Sequence, residues 1–252
     1  MNIETELSSL IGDLPDGISE GVALGTGIAD GFDLYESALG QVVVTFNPEG
    51  VSSLDIADSE FEDRFRSRFE RLLIRAEAPR SWGKAIPSAI EQGRPGSLPI
   101  DLRSVTSFQA EVLARTATIP KGEVRPYAWL ANEVHRPNAV RAAGSAVAKN
   151  PIPLIIPCHR VVRADGHIGN YSLGGPANKV DLLEHEGTRP GWLEDLAAEH
   201  VRFHGDSSTG VVCHPTCHVI RKSKAADVAS FRSLREAEES GFRACEVCRP
   251  CC

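Results

Sequence analysis

The distribution of cysteine constrains the fold of this 252-residue chain more than any other feature of its sequence. Six of the seven cysteines lie within the last 40 residues, and the seventh, Cys158, lies alone in the middle. The N-terminus lacks a basic segment followed by an apolar one, so we expect no secretory signal. In a chain without an export signal, clustered cysteines favour metal binding over disulfide formation. We therefore expect the C-terminal segment to fold around a metal ion.

The spacing of four of these cysteines is typical of a tetrahedral zinc site. Cys213 and Cys217 are separated by three residues, Cys245 and Cys248 by two, and the two pairs by 27. Four thiolates at about 2.3 Å would bind Zn²⁺ tightly and stabilise a domain that has little apolar core of its own. The alternatives are reduced thiols without metal, or disulfides formed after purification.

The second cysteine pair has two readings. Cys248 and Cys251 repeat the spacing, and Cys252 follows them. We prefer Cys245 with Cys248, because residues at a chain terminus fray. His214 and His218 could replace a thiolate ligand, although four cysteines need neither.

Composition and charge leave DNA binding open. A hydrophobic content of 42% and a charged content of 24% are ordinary for a soluble globular protein, and no apolar run reaches membrane-spanning length. We expect a cytoplasmic protein. The net charge is −7, yet residues 101–190 carry 11 Lys and Arg against 8 Asp and Glu. Because a DNA-binding surface needs only local positive charge, this middle third is the candidate region.

Apolar periodicity predicts an α/β arrangement for the first hundred residues. Strands are expected over 42–46 and 51–56 around a turn at 47–50, followed by a helix over 59–76. Residues 80–99 contain several Gly and Pro and predict a linker.

The middle of the chain predicts helices around a buried strand. Helices are expected over 107–117 and 127–134, and a third from Asn138 as N-cap to about Lys149. The last two, across the turn at 135–137, are compatible with a helix-turn-helix. The apolar run 154–156 predicts a buried strand that ends at Cys158, and residues 177–185 predict a helix that ends before Gly187.

Cys158 has two interpretations when its neighbours alone are considered. A free cysteine is often inert filler in the core. A cysteine followed by histidine at the end of a buried strand is also well placed to act as a thiolate nucleophile. The pentapeptide Pro157-Cys158-His159-Arg160-Val161 does not decide between them.

The surrounding motifs resemble the catalytic domain of the O6-alkylguanine–DNA alkyltransferases. Eight blocks occur in that family's order: Phe108-Gln109, Gly122-Glu123-Val124, Tyr127, Arg141-Ala142-Ala143-Gly144, Asn150-Pro151-Ile152-Pro153, the Pro157–Val161 pentapeptide, Gly169-Asn170-Tyr171-Ser172 and His185-Glu186-Gly187. The resemblance implies an N-terminal α/β, ribonuclease H-like domain over 1–100. A mostly α, winged-helix-like domain with a helix-turn-helix would follow over 101–190, then a linker over 191–200.

The same resemblance implies a methylated-DNA–protein-cysteine S-methyltransferase that acts once. Cys158 would accept the alkyl group, and His159 would act as base through a bound water. Glu186 would fix the imidazole tautomer, and Tyr127 would donate a proton or hydrogen bond to the departing guanine. Taken singly, His159 could instead be a structural histidine and Glu186 an exposed charge at a helix end.

The remaining family positions concern DNA and the substrate pocket. Arg141 would fill the gap left by a flipped base, and Asn150 would connect the helix-turn-helix to the active-site strand. Ala142 and Gly144 would allow close approach to a minor groove. The pocket would be lined by Tyr171, Ser172, Val147 and Pro153. The implied partner is double-stranded DNA with alkylated guanine, bound by a monomer that uses no organic cofactor and no membrane, in a bacterial-type cytoplasm at the nucleoid.

Residues 201–250 resemble the zinc-binding domain of the Ada adaptive-response proteins. The resemblance rests on Phe203, Gly205, Thr209-Gly210, Cys213-His214-Pro215-Thr216-Cys217 and Gly241–Pro250. It implies a small α+β domain stabilised by zinc over 201–252. In that family the first cysteine, here Cys213, accepts methyl groups from DNA phosphotriesters, so Cys213 is a candidate second methyl acceptor. Here the module follows the alkyltransferase region instead of preceding it.

Two other functions remain open. A non-catalytic sensor of alkylated lesions resembles this fold but replaces the acceptor cysteine, and Cys158 is present here. A regulator switched by methylation of Cys213 would need a promoter-binding domain, which this sequence does not contain.

Overall fold

A four-stranded sheet forms the first part of the chain in the computed structural model, which describes residues 18–251. Its strand order is β3-β2-β1-β4, with β1, β2 and β3 antiparallel and β4 parallel to β1. Helix α1 (Ile18–Thr26) precedes β1 (Ala29–Ser37), β2 (Gly40–Asn47) and β3 (Gly50–Ile56). The hairpin at 47–50 and the two strands around it confirm the sequence prediction.

The helix expected over 59–76 is shorter. Helix α2 spans Phe61–Phe69 and ends at Glu70, whose φ is +53°. The next residues form β4 (Leu72–Arg75), which pairs with β1. Apolar β-branched sequence followed the helix without a Gly or Pro, so the change to a strand depended on a partner that lies far along the chain. Phe61 and Phe65 pack on Val43 of the sheet.

The linker expected over 80–99 was wrong for most of its length. It contains a short 3₁₀ turn and helix α3 (Ala85–Gln92), which buries Ile86 and Ile90. Gly93, with φ +59°, ends this helix. The following residues join the sheet, since the Val51 amide donates to Pro99 O at 2.9 Å. The glycines and prolines here mark helix ends and bends within ordered structure.

Three helices build the middle of the chain. They are α4 (Ser107–Thr116), with a Thr106/Gln109 capping box, α5 (Tyr127–Glu133) and α6 (Val140–Ala148). Helix α6 begins at Val140 with Ala139 as its N-cap instead of Asn138, because Pro137 starts a 3₁₀ turn that includes Asn138. Strand β5 (Arg125–Pro126) runs directly into α5 and pairs with β6 (Val161–Val162).

The buried strand expected before Cys158 is absent from the structure between residues 18 and 251. Residues 151–156 form turns, and Cys158–Arg160 form a 3₁₀ turn. The three prolines at 151, 153 and 157 cannot donate to a sheet ladder. The Asn150 side chain bonds the Ile152 amide at 3.0 Å and the Ile156 carbonyl at 2.8 Å instead.

One apolar core joins the sheet to the helices. It runs from Val44 of β2 and Ile86 of α3 to Leu113 of α4 and Ile155 beside the cysteine. Helix α7 (Gly175–His185) covers its far side. Helix α8 (Pro190–Ala198) occupies the segment where a linker over 191–200 was expected. It is ordered because its apolar face, including Leu193, packs near β6.

A second sheet forms the C-terminal part, with strand order β10-β8-β7-β9. Its elements are β7 (Phe203–Asp206), β8 (Val211–Cys213), β9 (Val228–Phe231), α9 (Leu234–Glu239) and β10 (Arg243–Ala244). This is the small α+β arrangement expected. Among residues 18–251, no helix is long and apolar enough to cross a bilayer.

Candidate functional site

Cys158 lies in the wall of a cavity of about 210 Å³. The cavity is lined by Tyr127, Val147, Ala148, Cys158, Asn170, Tyr171 and Ser172. Five of the residues predicted for the site are thus brought together from α5, α6 and the loops around them. Pro153, predicted as an apolar wall, lines a neighbouring groove with Asn150 and Ser172.

The thiol of Cys158 is only 3% exposed. Burial raises its pKa above the ordinary value, whereas Asn150 and the positive charge of Lys179 oppose that effect. A thiolate here therefore needs a base to take its proton and a positive charge nearby.

His159 and Glu186 form a buried pair behind the cysteine. Nε2 of His159 lies 2.9 Å from Oε1 of Glu186. Burial lowers the pKa of His159, so the imidazole is neutral at pH 7. Burial also raises the pKa of Glu186, but hydrogen bonds from His159 and Arg160 outweigh it and bring that pKa to about 2. With Nε2–H donating to the carboxylate, Nδ1 is a proton acceptor, and it has no hydrogen-bond partner within residues 18–251.

Tyr127 is the first residue of α5 and reaches the cavity from the side opposite His159. Burial and the negative charge of Cys158 raise the pKa of its hydroxyl, so the hydroxyl keeps its proton. A Cβ on Gly144 of α6 would lie 3.8 Å from the Tyr127 ring, which indicates that the two helices are close at this point.

Arg141 and Ala142 lie exposed near the start of α6. Ser145 and Lys149 are exposed on the same helix or just past it, whereas Ala143, Ala146 and Val147 are buried. The exposed face is thus short-chained apart from Arg141 and Lys149.

A second cluster lies in the C-terminal sheet. The sulfur atoms of the preferred four cysteines lie within 4.8 Å of one another, and all four residues are buried: Cys213, Cys217, Cys245 and Cys248. Cys251 lies elsewhere, beside the amide of Asn132.

The donor set of this cluster fits Zn²⁺. Tetrahedral Zn–S bonds of about 2.3 Å place sulfur atoms roughly 3.8 Å apart, which the cluster can reach. Hydrogen bonding to Cys217 raises the pKa of Cys213, so the sulfurs do not all ionise unless a cation is present. The His214 amide donates to Cys248 Sγ at 3.4 Å, as expected for a thiolate ligand.

Comparisons with known proteins match both parts. Residues 107–188 match the family described as 6-O-methylguanine DNA methyltransferase, DNA binding domain, and residues 193–251 match the metal binding domain of Ada. A crystal structure of Mycobacterium tuberculosis OGT in complex with DNA superposes with a TM-score of 0.51 at 30% identity, over 66% of this chain and 98% of that one.

The chain belongs to the O6-methylguanine-DNA methyltransferase family. Its fold is alkyltransferase-like, with mixed helices and sheets, and its C-terminal cysteine cluster is a Zn²⁺ site.

Two curated relatives of this family member show partial coverage. The bifunctional transcriptional activator/DNA repair enzyme Ada of Escherichia coli is 34% identical over 64% of this chain and 47% of its own length. The human methylated-DNA–protein-cysteine methyltransferase is 45% identical over 42% of this chain and 51% of its own length. The chain therefore spans about half the length of the curated relatives it matches.

Sequence reasoning gave no role to Arg160, although this family member buries it at the site. The Arg160 guanidinium bonds both oxygens of Glu186 and donates to Gln92 O at 2.8 Å and Ile119 O at 2.7 Å. A Cβ on Gly93 would lie 2.3 Å from this guanidinium. The available signal was a positive charge inside an otherwise apolar segment.

Lys179 was also missed. It is fully buried in α7, and its ammonium donates to Val161 O at 2.6 Å and Ile168 O at 2.7 Å. Burial lowers its pKa to about 8. The sequence signal was its spacing from Leu182 and Leu183, which puts a lysine on the apolar face of the helix.

Proposed function

We propose that this chain repairs DNA by transferring an alkyl group from O6 of guanine to Cys158, once per molecule. The observation that supports this best is the thiol of Cys158 in the wall of a base-sized cavity, with the His159–Glu186 pair behind it. A buried thiol paired only with apolar neighbours would be inert, whereas this one has a base and a nearby cation.

The first part of the reaction forms the thiolate. His159 takes the thiol proton through Nδ1 by way of a water molecule, and Glu186 stabilises the resulting imidazolium through Nε2. The ammonium of Lys179 favours the thiolate by charge, as its effect on the pKa of Cys158 indicates.

The second part transfers the alkyl group. The sulfur attacks the alkyl carbon, a new S–C bond forms, and the C–O6 bond breaks with its electron pair on the guanine. Tyr127 donates a proton or hydrogen bond to the guanine, which then leaves uncharged. Its raised pKa keeps the hydroxyl protonated before this step. The product is S-alkylcysteine, so the site is consumed.

We propose that DNA binds over helices α5 and α6, acting as a helix-turn-helix in a winged-helix-like domain. DNA is supported as the partner by the DNA-binding-domain match and by the related structure determined with DNA. Arg141 would enter the base stack when the alkylated guanine flips into the cavity, and the small Ala142 would allow close approach to the minor groove. Tyr171, Ser172 and Val147 would contact the base.

The proposal extends to the organisation of the chain. A ribonuclease H-like domain would end near residue 100, the alkyltransferase domain near residue 190, and the zinc-binding domain would follow. The protein would act as a monomer in the cytoplasm, at the nucleoid. Zn²⁺ would be bound by the four cysteines of the cluster, where it neutralises their thiolates and stabilises the small domain.

Methyl transfer to Cys213 from a phosphotriester stays a prediction. Cys213 is 0% exposed, so a phosphotriester could reach it only if the domain opened locally. Mass spectrometry after incubation with DNA carrying both lesions distinguishes the functions. The proposal expects one methyl group on Cys158 for each protein molecule and none in Cys158→Ala. Unmodified Cys158 would favour a lesion sensor, and a methyl group on Cys213 would restore the Ada-like regulator as a candidate.

A further inference from the structure

The zinc-ligand loop contacts one short segment of the alkyltransferase domain, residues 123–133, here called the donor segment because it carries Tyr127. Thr216 Oγ1 accepts a hydrogen bond from the Val124 amide at 2.9 Å and donates to Val124 O at 3.3 Å. Thr216 lies between the ligands Cys213 and Cys217. The metal-binding loop is thus paired with the backbone that leads into α5.

Two further contacts join ligand residues to the donor segment. The indole Nε1 of Trp129 donates to the carbonyl oxygen of Cys248 at 2.9 Å. The His218 amide donates to Oε1 of Glu123 at 2.9 Å. Trp129 is 4% exposed and Glu123 1%, so each of these polar groups lacks access to water. Loss of its partner would leave such a group buried without a hydrogen bond.

Glu123 also forms a buried ion pair with Arg125. The guanidinium of Arg125 donates to Val124 O at 2.8 Å and lies 5.9 Å from the centroid of the Trp129 ring. The zinc-ligand loop and this ion pair therefore fix the same turn of backbone.

The donor segment connects these contacts to the active site. Arg125 pairs with Val161 and Pro126 with Val162, in the ladder of β5 and β6. Tyr127 follows β5 directly, and Cys158 lies three residues before β6. The donor segment thus lies between the zinc site and the cavity, with Tyr127 on the cavity side.

Metal binding determines where these contacts lie. Four cysteine sulfurs at a single ion set the positions of Thr216, of the His218 amide and of Cys248 O, all of which belong to the ligand residues or lie next to them. The ligand loop 213–218 is short, and its apolar surroundings consist largely of the cysteines themselves. Without metal, little else would keep these groups in position.

We propose that the zinc-binding domain is a positioning element of the alkyl-transfer site, so that a metal-loaded cysteine cluster fixes the donor segment and thereby the Tyr127 hydroxyl. This inference rests on the proposed function for its effect on catalysis, although the coupling itself is a property of the structure. Trp129, Thr216 and Glu123 would be positioning residues that act through Tyr127.

Hydrogen–deuterium exchange tests the coupling without any need for activity. Full-length protein with Zn²⁺ is compared with the chelated protein and with Thr216→Val, Thr216→Ser and Thr209→Val. Thr209 is exposed in the same domain, and its hydroxyl lies at 3.4 Å from Asp206 O, away from the donor segment. We expect amides 124–133 to exchange about tenfold faster after chelation and in Thr216→Val, but not in Thr216→Ser or Thr209→Val.

Two rates then test the effect on catalysis. Methyl transfer from O6-methylguanine DNA requires the proton donor, whereas alkylation of Cys158 by iodoacetamide requires only the thiolate. In Thr216→Val and Trp129→Phe we expect methyl transfer to fall about tenfold or more, while iodoacetamide labelling of Cys158 changes by less than about twofold. Thr216→Ser should restore methyl transfer.

The outcomes separate the two proposals. Unchanged exchange at 124–133 after chelation, with exchange rising only within 203–248, overturns the coupling. An equal fall in both rates also overturns it, because a general loss of structure would then explain the data. Absence of methyl transfer in the zinc-loaded protein overturns the proposed function, and the exchange data still decide whether the coupling exists.

Discussion

Nε2 of His159 lies 2.9 Å from Oε1 of Glu186, and Nη2 of Arg160 lies 2.6 Å from the same oxygen. One carboxylate thus serves a neutral base and a permanent cation at once. The cation keeps Glu186 ionised, and the ionised carboxylate keeps the His159 proton on Nε2. This relationship makes the base-accepting atom of His159 face away from the pair.

The first prediction concerns acid stability and Glu186. Its pKa of about 2 lies below the ordinary 4.5, so it stabilises the fold above pH 4.5 and loses that effect as pH falls toward 2. The contribution is on the order of 3 kcal/mol. Urea unfolding between pH 6 and 2.5 should therefore show a pH-dependent part that Glu186→Gln lacks. Glu184→Gln, exposed on the same helix, should keep it; equal profiles for both variants would contradict the prediction.

The second prediction concerns Lys179. Its ammonium stabilises the Cys158 thiolate, so Lys179→Met should raise the pKa of that thiol and slow iodoacetamide labelling at pH 7 by about tenfold. In the wild type, burial lowers the pKa of Lys179 to about 8 from 10.5. Stability should therefore rise between pH 8 and 10.5, because the unfolded state binds more protons there. Lys179→Met should lack this rise, as pH-dependent unfolding can measure.

The third prediction separates proton donation from thiolate formation at Tyr127. Tyr127→Phe keeps the ring against α6 but removes the hydroxyl. Methyl transfer from O6-methylguanine DNA should fall by about a hundredfold, a typical loss for a general acid. Labelling of Cys158 by iodoacetamide should stay within about twofold of the wild-type rate. A comparable loss in both assays would assign Tyr127 to packing.

The fourth prediction concerns Arg141 and base flipping. Arg141→Ala should slow repair of duplex DNA by about ten- to a hundredfold, because the cost of unstacking is no longer offset. Reaction with free O6-benzylguanine, which needs no flipping, should be unchanged. Lys149→Ala removes a neighbouring exposed charge past the same helix and should mainly weaken binding in a salt-dependent manner. An Arg141→Ala defect on the free base would contradict the role.

Local patterns were sufficient for some elements. The alternating valines of 42–44 and the Asn47–Gly50 turn predicted the β2–β3 hairpin, and the helices at 107–116 and 127–133 followed from periodicity. The four clustered cysteines followed from spacing and the fraying of termini alone. Each of these features is determined by residues close in sequence.

The features that sequence missed depend on distant partners. Residues 72–75 become a strand because β1 is available beside them, and Lys179 is satisfied by carbonyls of another segment. The hydrogen bond between Thr216 and Val124 joins residues 92 positions apart. The apolar run before Cys158 looked like a strand because periodicity does not record the cost of three prolines in a ladder.

Arg160 reaches back 68 positions to Gln92 O and 67 to Gly93 O, the carbonyls at the C-terminal end of α3. A cation at that end of a helix interacts favourably with its dipole, so α3 and the catalytic turn stabilise each other. The sheet and the alkyl-transfer site then cannot melt separately without leaving a buried guanidinium unpaired. We expect calorimetry to record one endotherm for both, so that a lesion-binding ligand would protect the sheet as strongly as it protects the site.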